Sequence, residues 1–574
     1  MPQDVTLQEK LSGCVAAFLK DLGYTKAFPE FIPCLQEDHG DLTTRAAFQW
    51  AKQWKKPLPE VTFLLKQALE SHDLVQEVQV ASGYVNVKIK PEFWHEILKD
   101  ILQKGQNYGH HHWGQKQKIN LEYVSANPTG PFHAGHSRGA ILGDALAGLL
   151  KGVGYDVTKE FYVNDAGQQV AALGHSVYAY YVQVFHPERT FQTQYPGLHI
   201  QELGYKLAQQ YGDKWVDQPA EQWLALFSEF AVKENLQSIR RDLEALGVFH
   251  DVFTYESALH AQHKIEEAVD LLEKKGLVYQ GFLPPPTKEE EGQWNPEELL
   301  LLKTTEFGDA MDRPLRRVEE GSWTYFAADI AYHQDKKERG FDKAIDVFGA
   351  DHASHVTRMQ AAVKAVTGQE NFLEVFLCQM VQFFDEGVLV KMSKRKGQFV
   401  SVADILESVD KDVLRFFMLT KKASTHLNVD FHEMRCQTKD NPIFYIQYAH
   451  ARCCSVMNAA AKMFSVKERQ NIQWVDYASL SEMAMRLIKM LADFPRQVSA
   501  AAVTREPHLL ASYLYNLAGQ FHGLWQQGRA DASLRFLIPD QLSSSLAYLS
   551  LVQATALVIR NGLGILGIEA KEEL

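Results

Sequence analysis

The chain has 574 residues, of which 46% are hydrophobic and 23% charged, with a formal net charge of −12. That length exceeds what one core supports, roughly 250–300 residues, so about three or four domains are expected. The acidic balance excludes a uniformly basic nucleic-acid coat but not a local phosphate-binding patch, and six cysteines without a CxxC pair suggest neither zinc nor a disulfide framework.

From the amino end, Met1 to Lys20 is an amphipathic mix with charges at Asp4, Glu9, Lys10 and Lys20, without the long apolar core of a signal peptide. No run approaches the ~18–20 apolar residues that a membrane span needs. A reduced cytoplasm is the expected setting, with no membrane partner. Residues 1–112 open with a helical pattern, pass through a polar stretch from Glu37 to Thr44 and reach the strand-like Gly83-Tyr-Val-Asn-Val-Lys-Ile89. The segment Tyr108-Gly-His-His-His-Trp-Gly114 reads as a linker; histidines adjacent along a loop seldom converge on one metal, so no metal site is expected.

Ile119, Leu121 and Tyr123 then alternate with Asn120, Glu122 and Val124, as in a strand with one buried face and one mixed face. Asn127-Pro-Thr-Gly-Pro131 breaks the ladder. After His133-Ala-Gly-His136, the apolar residues Ile141, Leu142, Ala145, Leu146, Leu149 and Leu150 recur at helical spacing. The order strand, tight loop, histidine pair, helix suits a phosphate, because unpaired N–H groups and the dipole at a helix start attract anions. Gly135 would let a nucleotide approach the backbone. The alternative is a pair of surface histidines at a helix cap.

A mainly helical stretch, roughly 170–300, follows, with a proline-rich polar excursion at Phe282 to Gly292. Further on, Lys391-Met-Ser-Lys-Arg-Lys-Gly397 places four positive charges on a glycine-bounded loop. Such a run is usually a solvated basic turn, but Met392 between the lysines is an apolar residue that a free loop does not need. Charges of this kind suit nucleotidyl chemistry, where positioning and electrostatic stabilisation do most of the work. No acidic cluster calls for a built-in metal, so Mg²⁺ would arrive with ATP.

From about 438 onward the pattern is helical, with Tyr513, Leu514, Leu517, Phe521, Leu524 and Trp525 forming an apolar stripe. This part carries twelve Lys/Arg against eleven Asp/Glu from Asp440 to Leu574, near neutral in an acidic chain. Tyr445, Tyr448 and Arg452 are the best placed to stack on splayed RNA bases, although most such aromatics belong to a core.

Taken together, these blocks resemble a class I aminoacyl-tRNA synthetase, and within that class an arginyl-tRNA synthetase of bacterial type. The matching stretches run from Leu121 to His136 and from Tyr162 to Gln168. They continue through Thr304 to Asp309, Tyr325 to Ala331, Gly349 to His352, Lys391 to Lys394 and Asn441 to Ala451. The resemblance implies an α/β class I catalytic domain over 116–430, a doubly wound parallel Rossmann-type sheet with an insertion at about 170–300. It further implies an α+β amino-terminal domain (1–112) touching tRNA and an all-α helical anticodon-binding domain (438–574).

It implies that His133, Gly135, His136, Lys391, Ser393 and Lys394 act on ATP, with Gly349, Asp351 and Met392 in the nucleotide site. L-Arginine would be held by Glu122, Ser125, Asn127, His136, Tyr325, Asp329 and His352. A planar guanidinium favours a fork of carboxylates, which fits Asp329 and Glu122. The dull readings are Asp329 as the cap of a helix starting near Ile330, Glu122 as an exposed strand residue and Tyr325 as core. Some relatives lack the lysine loop and carry a lysine before the histidine motif; here Gly130 stands at that point and the loop is intact. Ala134 replaces a common Ile or Val, a small apolar change. The implied partners are tRNA(Arg), arginine and ATP with Mg²⁺, for a monomer. Two rival functions are another nucleotidyltransferase with the same histidine motif and an inactive tRNA-binding paralogue.

Overall fold

A computed structural model describes residues 6–25, 27–34, 39–283, 297–319, 321–390, 401–438, 440–469 and 475–574. The lysine loop (Lys391, Met392, Ser393, Lys394) and most of the proline-rich excursion at 282–292 lie outside the described residues.

The centre is a five-stranded sheet. Its strands are β1 (Lys118–Tyr123), β2 (Asp156–Val163), β3 (Val252–Tyr255), β4 (Lys343–Gly349) and β5 (Leu373–Cys378). They lie in the order β5-β4-β1-β2-β3 with every pair parallel. Parallel strands need long crossovers, and the covering helices bury both faces. Hence five of the six β1 residues are buried, including Glu122, where the alternation had suggested one mixed face. The strand order reverses between β1 and β4, which opens a crevice at their carboxyl ends.

Helix α1 (Ala134–Gly152) leaves that crevice and is buried along most of its length, from Ala134 onward. Between β2 and β3 run the helices Gln168–Phe185, Leu198–Tyr211 and Ala220–Ala245, with their own core around Tyr181, Trp223 and Phe227. The span expected to be helical (about 170–300) therefore contains β3, a strand of the central sheet. Helix α2 (Tyr325–Glu338) covers the sheet beside the crevice.

The amino-terminal unit packs the helices Leu7–Asp21, Ala46–Trp54 and Leu58–Glu70 on a four-stranded antiparallel sheet. In the linker, Tyr108 donates its hydroxyl to the Leu491 carbonyl and the buried His111 ring meets the Pro495 carbonyl at 2.7 Å, while His110 and His112 are exposed. The carboxyl-terminal bundle comprises α3 (Pro442–Met463), α4 (Glu482–Thr504), α5 (Pro507–Ala530) and α6 (Leu542–Ile565). Cys453 and Cys454 are buried helix filler. Contrary to the expectation from sequence, α6 is long and apolar enough to cross a membrane by length and composition. In the fold 67% of its most apolar window is buried. Gly148 of α1 lies so close to α6 that a Cβ there would stand 2.0 Å from the Ile565 carbonyl oxygen.

Candidate active site

The histidine motif sits at the start of α1, beside the crevice. His133 is the N-cap residue, and its Nδ1 accepts from the Gly135 N–H at 3.1 Å. His136 Nδ1 faces the His133 N–H at 3.4 Å, and the two rings stack with centroids 3.7 Å apart. With each Nδ1 acting as acceptor, the neutral rings carry their protons on Nε2 as donors. Gly135 keeps the turn open, because a Cβ there would come within 3.0 Å of the His133 ring. Ala134 is fully buried. Ser401, on the carboxyl-terminal side of the lysine loop, forms a bridge with His133 and caps the helix Val402–Ser408.

A second tie runs to the same region. Arg138, 1% exposed, donates to the carbonyls of Gln379, Thr425 and Lys422 at 2.7–3.0 Å. Those carbonyls flank strands Val381–Asp385 and Leu427–Asp430, of which the first leads through Val388–Leu389 to the lysine loop.

The residues expected at arginine divide into two groups. Tyr325, Asp329, Asn127 and His352 are solvent-accessible. Tyr325 is 56% exposed and lies against Gly167, whose φ of +81° and missing side chain admit the phenol. Asp329 lies inside α2, whose cap is Thr324, so it does not cap a helix. Its carboxylate is one-third exposed and faces His355 at 3.4 Å. Gly349 ends β4 and Asp351 and His352 follow it, with the Asp351 carboxylate folded over Gly349.

Glu122 and Ser125 are instead tied into the protein. The Ser125 hydroxyl donates to Glu122 at 2.9 Å and accepts from the Tyr162 N–H at 3.0 Å. Val124 and Ser125 both have positive φ, at 72° and 36°, a strained turn for residues with side chains. The other Glu122 oxygen accepts from Lys336 of α2 at 2.7 Å.

Around Glu122 lies a charge cluster that sequence spacing missed. Glu160, Glu122 and Asp346 are register partners across β2, β1 and β4, so three carboxylates stand in a row. Lys336, fully buried, also donates to Asp346 at 3.0 Å. Glu160 accepts both arms of Arg339 at 2.9 Å and the hydroxyls of Tyr332 and Thr254. The His333 ring bridges the Asp329 carbonyl and the Asp346 carboxylate. Burial raises the Glu122 carboxyl, and neighbouring Asp346 adds to that, against the pull of Lys336. Burial also opposes ionisation of Asp346, yet Lys336 and His333 bring it down to about 2. The sequence did carry a signal: single acids inside apolar strand runs, Glu122, Glu160 and Asp346, need internal partners.

Next to Asp329 stands another unexpected acid. Glu256 is buried, and desolvation together with Asp329 and Asp165 pushes its carboxyl up to about 7. Asp165, Glu256 and Asp329 thus form an acidic group at the start of α2.

On the bundle, Tyr448 is exposed and Tyr445 half-buried. The Arg452 guanidinium lies 4.0 Å over the Tyr448 ring and 5.0 Å from Trp525, and bonds the Tyr448 hydroxyl and His522.

Comparison with known proteins bears on this arrangement. The family model described as tRNA synthetases class I (R), catalytic domain, matches residues 97–434. The arginyl tRNA synthetase N terminal domain matches 6–89, and the DALR anticodon binding domain matches 446–574. A protein of Jannaschia sp. named arginine–tRNA ligase is 44% identical over 545 residues, covering 94% of both chains. One of the same name from Roseobacter denitrificans is 43% identical over 557 residues, covering 96% of this chain and 95% of its own. The Thermus thermophilus arginyl-tRNA synthetase structure superposes with a TM-score of 0.75 over 99% of this chain and 100% of its own, at 22% identity, a likeness of fold.

Proposed function

Because the chain belongs to the arginyl-tRNA synthetase family and charges tRNA with arginine using ATP, we propose that activation occurs in the crevice between β1 and β4. The observation that carries this is the strand order. The histidine motif follows β1 and the Gly349–His352 turn ends β4, on either side of the reversal, where open parallel sheets bind nucleotides.

In this reading the arginine carboxylate attacks the α-phosphate of ATP, giving arginyl-adenylate and pyrophosphate. His133 and His136 donate from Nε2 to the phosphates, with Gly135, Gly349 and Asp351 shaping the nucleotide site. Lys391, Ser393 and Lys394 act on the departing pyrophosphate, and Met392 docks their loop. Mg²⁺ accompanies the ATP. Asp329 and Glu122, with Tyr325 and His352, take the guanidinium end, while Ser125, Asn127 and His136 take the amino-acid end. The terminal adenosine 2′-hydroxyl of tRNA(Arg) then accepts the arginyl group. Tyr445, Tyr448 and Arg452 supply stacking surface for anticodon bases, and the amino-terminal unit meets the outer corner of the tRNA. The protein acts as a cytoplasmic monomer without a membrane partner.

The test is ATP–pyrophosphate exchange across the amino acids, with and without tRNA(Arg). Exchange specific to arginine supports the reading; exchange that is absent, or indifferent to the amino acid, refutes it. Lys394→Ala is expected to cut exchange by orders of magnitude while leaving arginine affinity nearly intact; parental exchange rates in that variant refute the role of the lysine.

A further inference from the structure

The row of carboxylates leaves one buried cation without a task in the chemistry above. Lys336 is 0% exposed and touches no surface from which it could meet a ligand. Its ammonium sits between two acids directly opposed across β1 and β4, 2.7 Å from Glu122 and 3.0 Å from Asp346, and 4.3 Å over the Tyr332 ring. Two like charges at register-partner positions repel, so without a cation between them Glu122 and Asp346 would share a proton or turn apart.

We propose that Lys336 is a positioning residue for arginine recognition, clamping the Glu122 side chain so that Glu122 and Ser125 hold one orientation at the mouth of the arginine pocket. The chain of contacts is short. Lys336 holds one Glu122 oxygen, the other oxygen holds the Ser125 hydroxyl, and that hydroxyl receives the Tyr162 N–H at the strained turn that ends β1. The same helix carries Asp329 one side of His333 and Lys336 the other, and His333 links the Asp329 carbonyl to Asp346. Lys336 therefore sets the distance between the helix bearing Asp329 and the strand bearing Glu122. The inference rests on the reading that Glu122 and Asp329 face the substrate.

The groups packed around Glu122 set the sign of its response to pH. They are Lys336, His333, Tyr332 and Arg339 from α2 and its end, Asp346 from β4, Glu160 and Tyr162 from β2, and Ser125 from the following loop. Removing Lys336 leaves a desolvated carboxylate beside another, so its proton is held more tightly. Removing the charge of Asp346 does the opposite.

The experiment measures arginine KM, ATP KM and the pH profile of kcat/KM for arginine in the parent, Lys336→Met, Asp346→Asn and Glu122→Gln, with thermal melts to establish folding. Lys336→Met is expected to raise arginine KM roughly tenfold, to leave ATP KM within about twofold and to move the acid limb up by about one pH unit. Asp346→Asn is expected to move the acid limb down. Folded Lys336→Met with parental arginine KM and acid limb overturns the proposal, as does equal loss for arginine and ATP. If Lys336→Met does not fold, Asp346→Asn decides: a downward shift supports the clamp and an unmoved limb overturns it. Glu122→Gln separates the two layers. A parental arginine KM in that variant refutes the placement of Glu122 at the substrate. A defect there beside a silent Lys336→Met overturns the role of Lys336 alone.

Discussion

Asp329→Asn tests the charge proposed for the guanidinium end with the least disturbance, because Asn keeps the shape and one acceptor oxygen. The Asp329 carboxylate is one-third exposed and faces His355 at 3.4 Å, so the fold depends on it little. A hydrogen bond to a charged partner contributes about 1.5–3 kcal/mol, and solvent at this site screens it toward the lower end. Losing one arm of a charged fork at about 1.5–2 kcal/mol corresponds to a rise of roughly ten- to thirtyfold in arginine KM. ATP KM is expected to stay near the parental value. Steady-state aminoacylation with arginine varied at saturating ATP and tRNA measures this, alongside a thermal melt. An arginine KM within about twofold of the parent removes Asp329 from the pocket. Glu256 provides an internal check: Asp329 helps to hold its carboxyl up, so Asp329→Asn lowers the pH at which Glu256 titrates.

Glu256 itself makes stability depend on pH. Its folded pKa of about 7 lies above the ordinary 4.5, so the folded chain holds the proton more tightly and loses stability as pH rises from about 4.5 through about 7. Glu256→Gln should match the parent in urea unfolding at pH 5 and exceed it at pH 8, by up to about 3 kcal/mol; no gain at pH 8 contradicts the shift. Arg415 is fully buried and joins Asp144 of α1 to the carbonyls of Leu246 and Leu566 at 2.6–3.0 Å, one from each neighbouring unit. Arg415→Met is expected to cost about 1–3 kcal/mol, read as a lower urea midpoint, because it strands the Leu246 and Leu566 carbonyls while Lys159 keeps Asp144 paired at 3.1 Å; an unchanged midpoint shows that solvent reaches the cluster. Gly148→Ala puts a Cβ against the Ile565 carbonyl and should destabilise by about 1–3 kcal/mol through forced separation of α1 and α6, while an unchanged melt means that the helices part freely.

Much of the chain was legible from local pattern. The strand, break and helix around His133 follow from alternation, proline and helical spacing within about 30 residues, and each is set by short-range sterics and one buried face. The helical carboxyl-terminal unit was legible for the same reason: the stripe from Tyr513 to Trp525 lies on α5 and all but Trp525 are buried. Family blocks named arginine as the amino acid and pointed to Asp329, whose position inside α2 removes the helix-cap alternative.

Pairings across the sheet were not legible, because parallel neighbours are joined by crossovers of tens to hundreds of residues and spacing carries no register. Glu122 pairs with Asp346 and Glu160 through folding alone, and its partner Lys336 comes 214 residues later. An acid written into a strand reads the same whether its cation is a ligand or a lysine of the protein. Burial on both faces and the arrival of α2 over β1 and β4 determine which it meets, and these belong to the assembled sheet.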